Sequence, residues 1–181
     1  MIYEGQTIPS VSLVQRDGIT GTFTEVTTDE LFKDKRVILF ALPGAFTPTC
    51  STKQLPAYDK KYRSLTAKKN NIDEVYCLSV NDGFVMNAWF ESLGIKNVKP
   101  LADGSLEFTA SVGAKVQKDN VGFGSRSWRY SCVINDGVVE KVFSEEGFGN
   151  NAGTDPFEVS DAQTMLDYIS EAISLRLKEQ V

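Results

Sequence analysis

Cys50 is the side chain in this 181-residue sequence whose type and setting most directly allow chemistry. It ends the segment Pro43-Gly44-Ala45-Phe46-Thr47-Pro48-Thr49-Cys50. An apolar, strand-like run (37–42) precedes that segment, and a helix-like stretch opening Ser51-Thr52-Lys53-Gln54-Leu55 follows it. A thiol placed there lies in the first turn of a helix, with a Thr hydroxyl three residues upstream. Unpaired amide N–H groups and the positive end of the helix dipole favour the thiolate at such a position. The thiolate is the nucleophilic form of cysteine. A free Cys is often only a small buried hydrophobe, but the Pro-Gly turn, Thr47 and the helix start together mark Cys50 as reactive.

Composition removes the usual activators. The chain has no histidine, so Cys-His and Ser-His pairs and any imidazole metal site are excluded. Whatever ionises Cys50 must be a dipole, a hydrogen bond or a cation. The other cysteines, Cys77 and Cys132, fall on different expected elements and no C-x-x-C occurs, which excludes a zinc knuckle and a dithiol redox motif. The acidic residues lack metal-loop spacing, and Gly122-Phe123-Gly124 is too short for a dinucleotide fingerprint. No metal and no organic cofactor is expected. A net charge of −5 and a pI near 4.9, with scattered Lys and Arg, argue against nucleic acid or an anionic membrane as partner. No apolar run is long enough to cross a bilayer. Residues 1–6 lack the basic and apolar regions of a signal peptide, which predicts a cytoplasmic protein.

The elements that must position Cys50 follow from periodicity. Asp17-Gly18 marks a hairpin turn in an N-terminal segment, and residues 28–32 form a capped short helix before a strand at 35–42. The helix after Cys50 is expected to run to about residue 69, kinked or loosened at Pro56. Residues 74–80 are nearly continuously apolar, as in a parallel strand buried on both faces. Asn81-Asp82-Gly83 caps a helix from Phe84 to about Leu93. A short strand (98–102) then leads into a helix near 105–112. Strands 128–135 and 138–144 flank Asp136-Gly137 as the clearest hairpin. Ser160-Asp161 opens a final helix with Met165, Leu166, Ile169, Ile173 and Leu177 on one stripe. This order, β-α-β-α-β-α, a β-hairpin and a closing α, predicts a single α/β domain spanning 1–181. It is similar to the thioredoxin fold: a central mixed sheet, helices on both faces and an N-terminal β-hairpin extension.

The segment 43–50 resembles the active-site signature of peroxiredoxins, in the subgroup called type 5 in animals and type II in plants. Cys77-Leu78-Ser79-Val80-Asn81-Asp82, Leu101-Ala102-Asp103-Gly104 and Gly124-Ser125-Arg126-Ser127-Trp128-Arg129-Tyr130-Ser131 support the likeness over roughly 1–170. Asp155-Pro156-Phe157-Glu158-Val159-Ser160-Asp161-Ala162 is similar to bacterial members, some of them fused to a glutaredoxin domain. The resemblance implies a peroxidase: the thiolate attacks a hydroperoxide oxygen, giving sulfenic acid and water or an alcohol. It implies Cys50 as peroxidatic cysteine, Thr47 as hydrogen-bond partner of thiolate and peroxide, Pro43 as shield, and Arg129 as the cation that stabilises the thiolate. It also implies a homodimer built through loops near the site, with Phe46, Phe84 and Trp89 as contacts.

The residues have other readings. Thr47 also fits an N-cap with Pro48 at the first helical position, and Pro43 a turn former. Strand alternation puts Trp128, Tyr130, Cys132 and Ile134 on one face and Arg129, Ser131 and Val133 on the other. A guanidinium inside a covered sheet needs a partner, which a Cys50 thiolate would be; on an edge strand it would face water, and Arg126 would be the alternative cation. Cys77 and Cys132 read as core thiols. The chain lacks the resolving cysteine that animal relatives carry in the region matching 145–159. Regeneration is therefore expected from glutathione with glutaredoxin, or from thioredoxin, in the second case with Cys77 as resolving thiol. A non-enzymatic holdase on the same scaffold is the rival outside enzymology. The peroxidase reading requires a sulfur that is ionised at neutral pH and reachable from solvent.

Overall fold

The computed structural model describes residues 1–179, with side chains through residue 175. Its centre is a five-stranded sheet in the order β5 (Lys99–Ala102), β4 (Glu74–Ser79), β3 (Arg36–Ala41), β8 (Tyr130–Asn135), β9 (Val138–Ser144). β3, β4 and β5 are parallel, and β8 and β9 add antiparallel to β3. Every residue of β3 and β4 is buried, which requires cover on both faces. On one face Ile38, Phe40, Val75 and Cys77 pack against α2 (Leu55–Leu65), α3 (Gly83–Ser92) and α5 (Ala162–Glu179). On the other, Val37, Leu39, Tyr76 and Leu78 meet α1 (Thr28–Phe32), α4 (Glu107–Ser111) and the N-terminal residues Ile2, Ile8 and Leu13. The hairpin of β1 (Ser12–Arg16) and β2 (Phe23–Thr27) lies outside this sheet as the expected extension. The expected thioredoxin-like order and mixed sheet are what the chain forms.

The local signals worked where a single residue type dictates geometry. Asp136 and Gly137 both have positive φ (48° and 75°), as a two-residue turn matching the strand twist requires. Thr27 and Glu30 form a reciprocal capping box, and Asp82 caps α3 through the Val85 N–H. In α5, Met165 and Ile169 are buried with Leu166 and Ile173 against the same cluster, while the Leu177 side chain lies outside the described residues.

Three expectations were displaced, and one pair of strands was new. Asp17-Gly18 does not close a two-residue turn: residues 17–22 form a longer loop in which the Asp17 carboxylate accepts from the Ile19 and Thr20 N–H groups. The antiparallel pair of β6 (Lys115–Gln117) and β7 (Ser125–Ser127) was not anticipated, because three-residue strands carry too little alternation. β8 starts at Tyr130, two residues later than read. The helix after Cys50 is divided: Cys50–Gln54 is a π-helical turn, and α2 proper ends at Leu65. Pro56 has no N–H to give to the carbonyl four residues back, and its ring crowds that carbonyl. The turn before it widens instead, and the Leu55 N–H bonds the Cys50 carbonyl.

Away from the site, Arg36 at the start of β3 is buried and bonds Glu140 twice, at 2.5 and 2.9 Å, and the Asn70 carbonyl at 2.8 Å. Burial opposes the Glu140 charge, but the Arg36 hydrogen bonds and charge outweigh it and hold the carboxyl below its ordinary 4.5. A carboxyl with a depressed native value stabilises the fold above the unfolded-state value and loses that contribution as pH falls through the native one. Glu140→Ala should therefore cost about 3 kcal/mol in denaturant unfolding at neutral pH, because it strands a buried cation. The difference from the native protein should shrink below pH 4.5; a cost unchanged at low pH would contradict the pairing.

Candidate active site

The chain leaves β3 at Ala41 and runs through Leu42, Pro43 and Gly44 before Cys50. Arg126, on β7, fixes this bend: its Nη1 donates to the Pro43 carbonyl at 3.3 Å and to Asn81 Oδ1 at 3.4 Å, and its Nε donates to the Phe123 carbonyl at 3.1 Å. Asn81 Oδ1 also accepts from the Ala45 N–H at 3.0 Å. The approach explains Gly44, since a Cβ there would lie 2.7 Å from the Arg126 Nη1. Burial pulls the Arg126 guanidinium below its ordinary value, partly offset by negative charge on Cys50. Arg126 is thus a cation spent on carbonyls that shape the loop.

Arg129 is the cation at the sulfur. It sits just before β8, only 1% exposed, and its Nη1 lies 3.4 Å from Cys50 Sγ. The same Nη1 donates to Gln54 Oε1, and Nη2 donates to Asp155 Oδ1 at 2.6 Å, while the Phe157 ring lies 5.7 Å from the guanidinium carbon. Burial opposes the Arg129 charge, but the sulfur and the Asp155 carboxylate outweigh it, and its value lies above that of a free arginine. The predicted alternation holds: Tyr130, Cys132 and Ile134 face one cluster, and Val133 faces the one that contains Cys50.

Two expected placements differ. Thr47 occupies the position before the helical residues Pro48 and Thr49, but its hydroxyl donates to the Gly44 carbonyl at 2.7 Å, neither capping the helix nor donating to the sulfur. The Gly44 carbonyl at this tight bend is the nearer acceptor. Cys50 was expected to be reachable, yet it is 0% exposed. Pro43, Thr47, Pro48 and Thr49 form one wall of a cavity of about 360 Å³ in front of it, and residues 118–123 and 152–155 form the others. The sulfur lies behind that wall. A larger cavity of about 700 Å³, between the N-terminal hairpin and α3, is lined by no cysteine.

Gln54, Asp155 and Phe157 were not anticipated as partners of Arg129, because the turn after Cys50 and segment 145–160 meet it only in the fold. Segment 145–160, which carries Asp155, is tied down by the buried Glu145 carboxylate. That carboxylate accepts from the N–H groups of Glu158, Val159 and Ser160 and from the Ser160 hydroxyl, at 2.7 to 3.0 Å. Trp89 is a second omission. It is fully buried and donates from Nε1 to Ser51 Oγ at 2.9 Å, so it holds the residue after Cys50 and is not the surface contact expected of it. Phe46 and Phe84 are exposed, at 56% and 58%. Cys77 and Cys132 are buried and free. Burial pushes both thiols up, and charge on Cys50 pushes Cys77 further. Among the described residues no group of three or more Cys, Asp or Glu could hold a metal, and no helix is long and apolar enough to cross a membrane.

A thioredoxin-like scaffold that buries a cysteine against an arginine fits a thiol-dependent oxidoreductase. Comparison with known proteins narrows the class. Residues 3–166 match the Redoxin family model. A peroxiredoxin of Rhizobium etli is 63% identical over 140 residues, 77% of each chain. The hybrid peroxiredoxin hyPrx5 of Haemophilus influenzae is 48% identical over 167 residues, 92% of this chain and 66% of that protein. The crystal structure of reduced Prx3 from Vibrio vulnificus in complex with H2O2 superposes with a TM-score of 0.83 at 40% identity, covering 95% of this chain and 98% of that one. The chain belongs to the peroxiredoxin family, in its type 5/type II subgroup, and is a peroxidase.

Arg129→Met should slow reaction with hydrogen peroxide by about 100-fold, the usual loss on removing one aimed donor from a dry site. Asp155→Asn should slow it less, by about threefold to tenfold, since it loosens the guanidinium without removing it. Stopped-flow rates of sulfenic acid formation check both. A larger loss from Arg126→Met than from Arg129→Met would reverse the assignment of the two cations.

Proposed function

We propose that Cys50 is the peroxidatic nucleophile and Arg129 the cation that stabilises its negative charge, with Thr47 and Pro43 shaping the approach. The observation that carries this is the 3.4 Å contact between Arg129 Nη1 and Cys50 Sγ inside a buried site. A guanidinium so buried is tolerated only with anionic partners, and it has the Asp155 carboxylate and the sulfur. The Cys50 thiolate attacks the distal oxygen of a hydroperoxide; the S–O bond forms as the O–O bond breaks. The products are a sulfenic acid and an alkoxide or hydroxide, which takes up a proton to leave as alcohol or water. Gln54 Nε2 and Arg129 Nε are buried donors without acceptors and are available to oxygen atoms brought to the site. Because Cys50 is sealed in this geometry, the peroxide enters when the wall of Thr47, Pro48 and Thr49 moves aside. The substrates are hydrogen peroxide and small alkyl hydroperoxides, in antioxidant defence and redox homeostasis.

An external thiol regenerates the enzyme, with glutathione and glutaredoxin as reductant. Cys77, the one thiol near enough for its titration to feel Cys50, is in the middle of β4 and its thiol is pushed well up. Segment 145–160 contains no cysteine. The sulfenic acid therefore meets a small thiolate first: a Cys50–glutathione disulfide forms, hydroxide leaves, and glutaredoxin removes the glutathionyl group. The chain acts as one domain, organised by its five-stranded sheet. Phe46, in the loop before Cys50, and Phe84, beside the N-terminal hairpin, are both exposed and are the contacts of a homodimer. Three free cysteines and no disulfide fit a reducing, cytoplasmic setting.

Cys50→Ser should abolish peroxide consumption, and substantial residual turnover would remove the assignment. Cys77→Ser should keep most activity with glutaredoxin and glutathione, and wild type should turn over faster with that pair than with thioredoxin. Collapse of the Cys77→Ser variant would make Cys77 the resolving thiol instead.

A further inference from the structure

We propose that the cavity beside Cys50 is a subsite for a carboxylate, held by Lys118; this rests on Cys50 being the reacting thiol. Lys118 is only 6% exposed, and its ammonium makes no hydrogen bond or ion pair among the described residues. Its contact is with the Trp128 ring, whose centroid lies 5.7 Å away. That ring is fixed, since Trp128 Nε1 donates to the Glu145 carbonyl at 2.9 Å. The side chain is thus buried against an aromatic face that offers the ammonium no hydrogen-bond acceptor. An anion entering the cavity would supply the missing partner.

The surrounding charges leave a positive surplus. Asp155 is the carboxylate on the cavity wall, and its Oδ1 is bonded to Arg129. The Glu145 carboxylate is saturated by the amides of its own segment. Asp119 follows Lys118 in the chain but is exposed. Arg126 behind the loop has only neutral acceptors. A protein of net charge −5 thus presents an unneutralised cation at the mouth of its reactive site.

The remaining wall sets the ligand class. Pro43, Pro48, Val121 and Phe123 are apolar, and Thr49 and Asn120 add polar atoms. One ammonium and neutral donors suit a singly charged carboxylate on an apolar stem better than a phosphate, which is recognised by forked or multiple cations. Because the same wall carries Thr47 and Thr49, a ligand anchored at Lys118 lies against the cover of Cys50, and its other end meets the sulfur once that wall moves aside. Two kinds of molecule carry a carboxylate to that point: a hydroperoxy acid, and a thiol acid that reduces the sulfenic acid. In the second case the thiolate sulfur bonds to Cys50, the S–OH bond breaks, and hydroxide leaves to be protonated to water.

Matched probes separate the sources. In one arm, a hydroperoxy carboxylic acid and its methyl ester are compared for the rate of sulfenic acid formation. In the other, 3-mercaptopropionate and its methyl ester, at equal thiolate concentration, are compared for the rate at which they consume preformed sulfenic acid. Wild type should favour the free acid by about tenfold in at least one arm, the size of one charge-assisted hydrogen bond, and the arm that shows it names the ligand. The preference should weaken with added salt, survive in Lys118→Arg and disappear in Lys118→Met. No preference in either arm, or a preference retained in Lys118→Met, overturns the subsite. If Lys118→Met does not fold, a wild-type preference unaffected by salt and equal in Lys118→Gln overturns it. Failure of wild type to consume hydrogen peroxide would instead count against the role of Cys50.

Discussion

The buried contact between Arg129 and Cys50 is the constraint to which the other parts of the site answer. Without histidine, the chain has no group that can take a proton from sulfur near neutral pH and return it. A fixed positive charge must do the work, and a fixed charge is effective only where water does not screen it. Dryness makes the guanidinium strong and also makes it costly to bury. Asp155 offsets that cost by holding Nη2, and Gln54 takes part of Nη1. These partners hold Arg129 in place independently of the charge on the sulfur.

The same requirement accounts for the irregular backbone around Cys50. A regular helix from Pro48 to Leu65 would need a hydrogen bond from residue 56 to residue 52, and Pro56 has no donor. The π turn takes up the mismatch at Cys50–Gln54, so that Cys50 and Gln54 both turn toward Arg129. Single π turns inside helices hold together less well than α turns. This one carries the sealed sulfur of Cys50, and it is tied by Trp89 through Ser51 rather than by a cap.

Sequence reasoning reached the parts of this arrangement that are local or periodic. The nearly continuous apolar run at 74–80 gave β4, Asp136-Gly137 gave a hairpin, and alternation along 128–135 put Arg129 on the face opposite Cys132. Cys50 stood out because its turn, hydroxyl and helix start are contiguous. What escaped was set by long-range meetings: Asp155 and Gln54 are 26 and 75 residues from Arg129, and no spacing rule links them. Thr47 shows the complementary limit. Its type fits a cap or a sulfur ligand equally, and only the nearby Gly44 carbonyl decides where the hydroxyl points. Trp89 was misplaced for a related reason, since helical spacing alone does not reveal that a neighbouring turn offers its indole an acceptor.

The three cysteines show how far environment, rather than residue type, assigns chemistry. All are fully buried and unpaired, so exposure does not distinguish them. Cys77 and Cys132 lie mid-strand, where backbone partners are committed to the sheet, and burial dominates them by favouring the neutral thiol. Cys50 lies at a strand-to-helix bend, where Arg129 places its Nη1 3.4 Å from the sulfur. A positive charge acts more strongly in such a dry site than in water. Neither Cys77 nor Cys132 accepts a hydrogen bond from a cation among the described residues, so that contact, not burial, sets Cys50 apart.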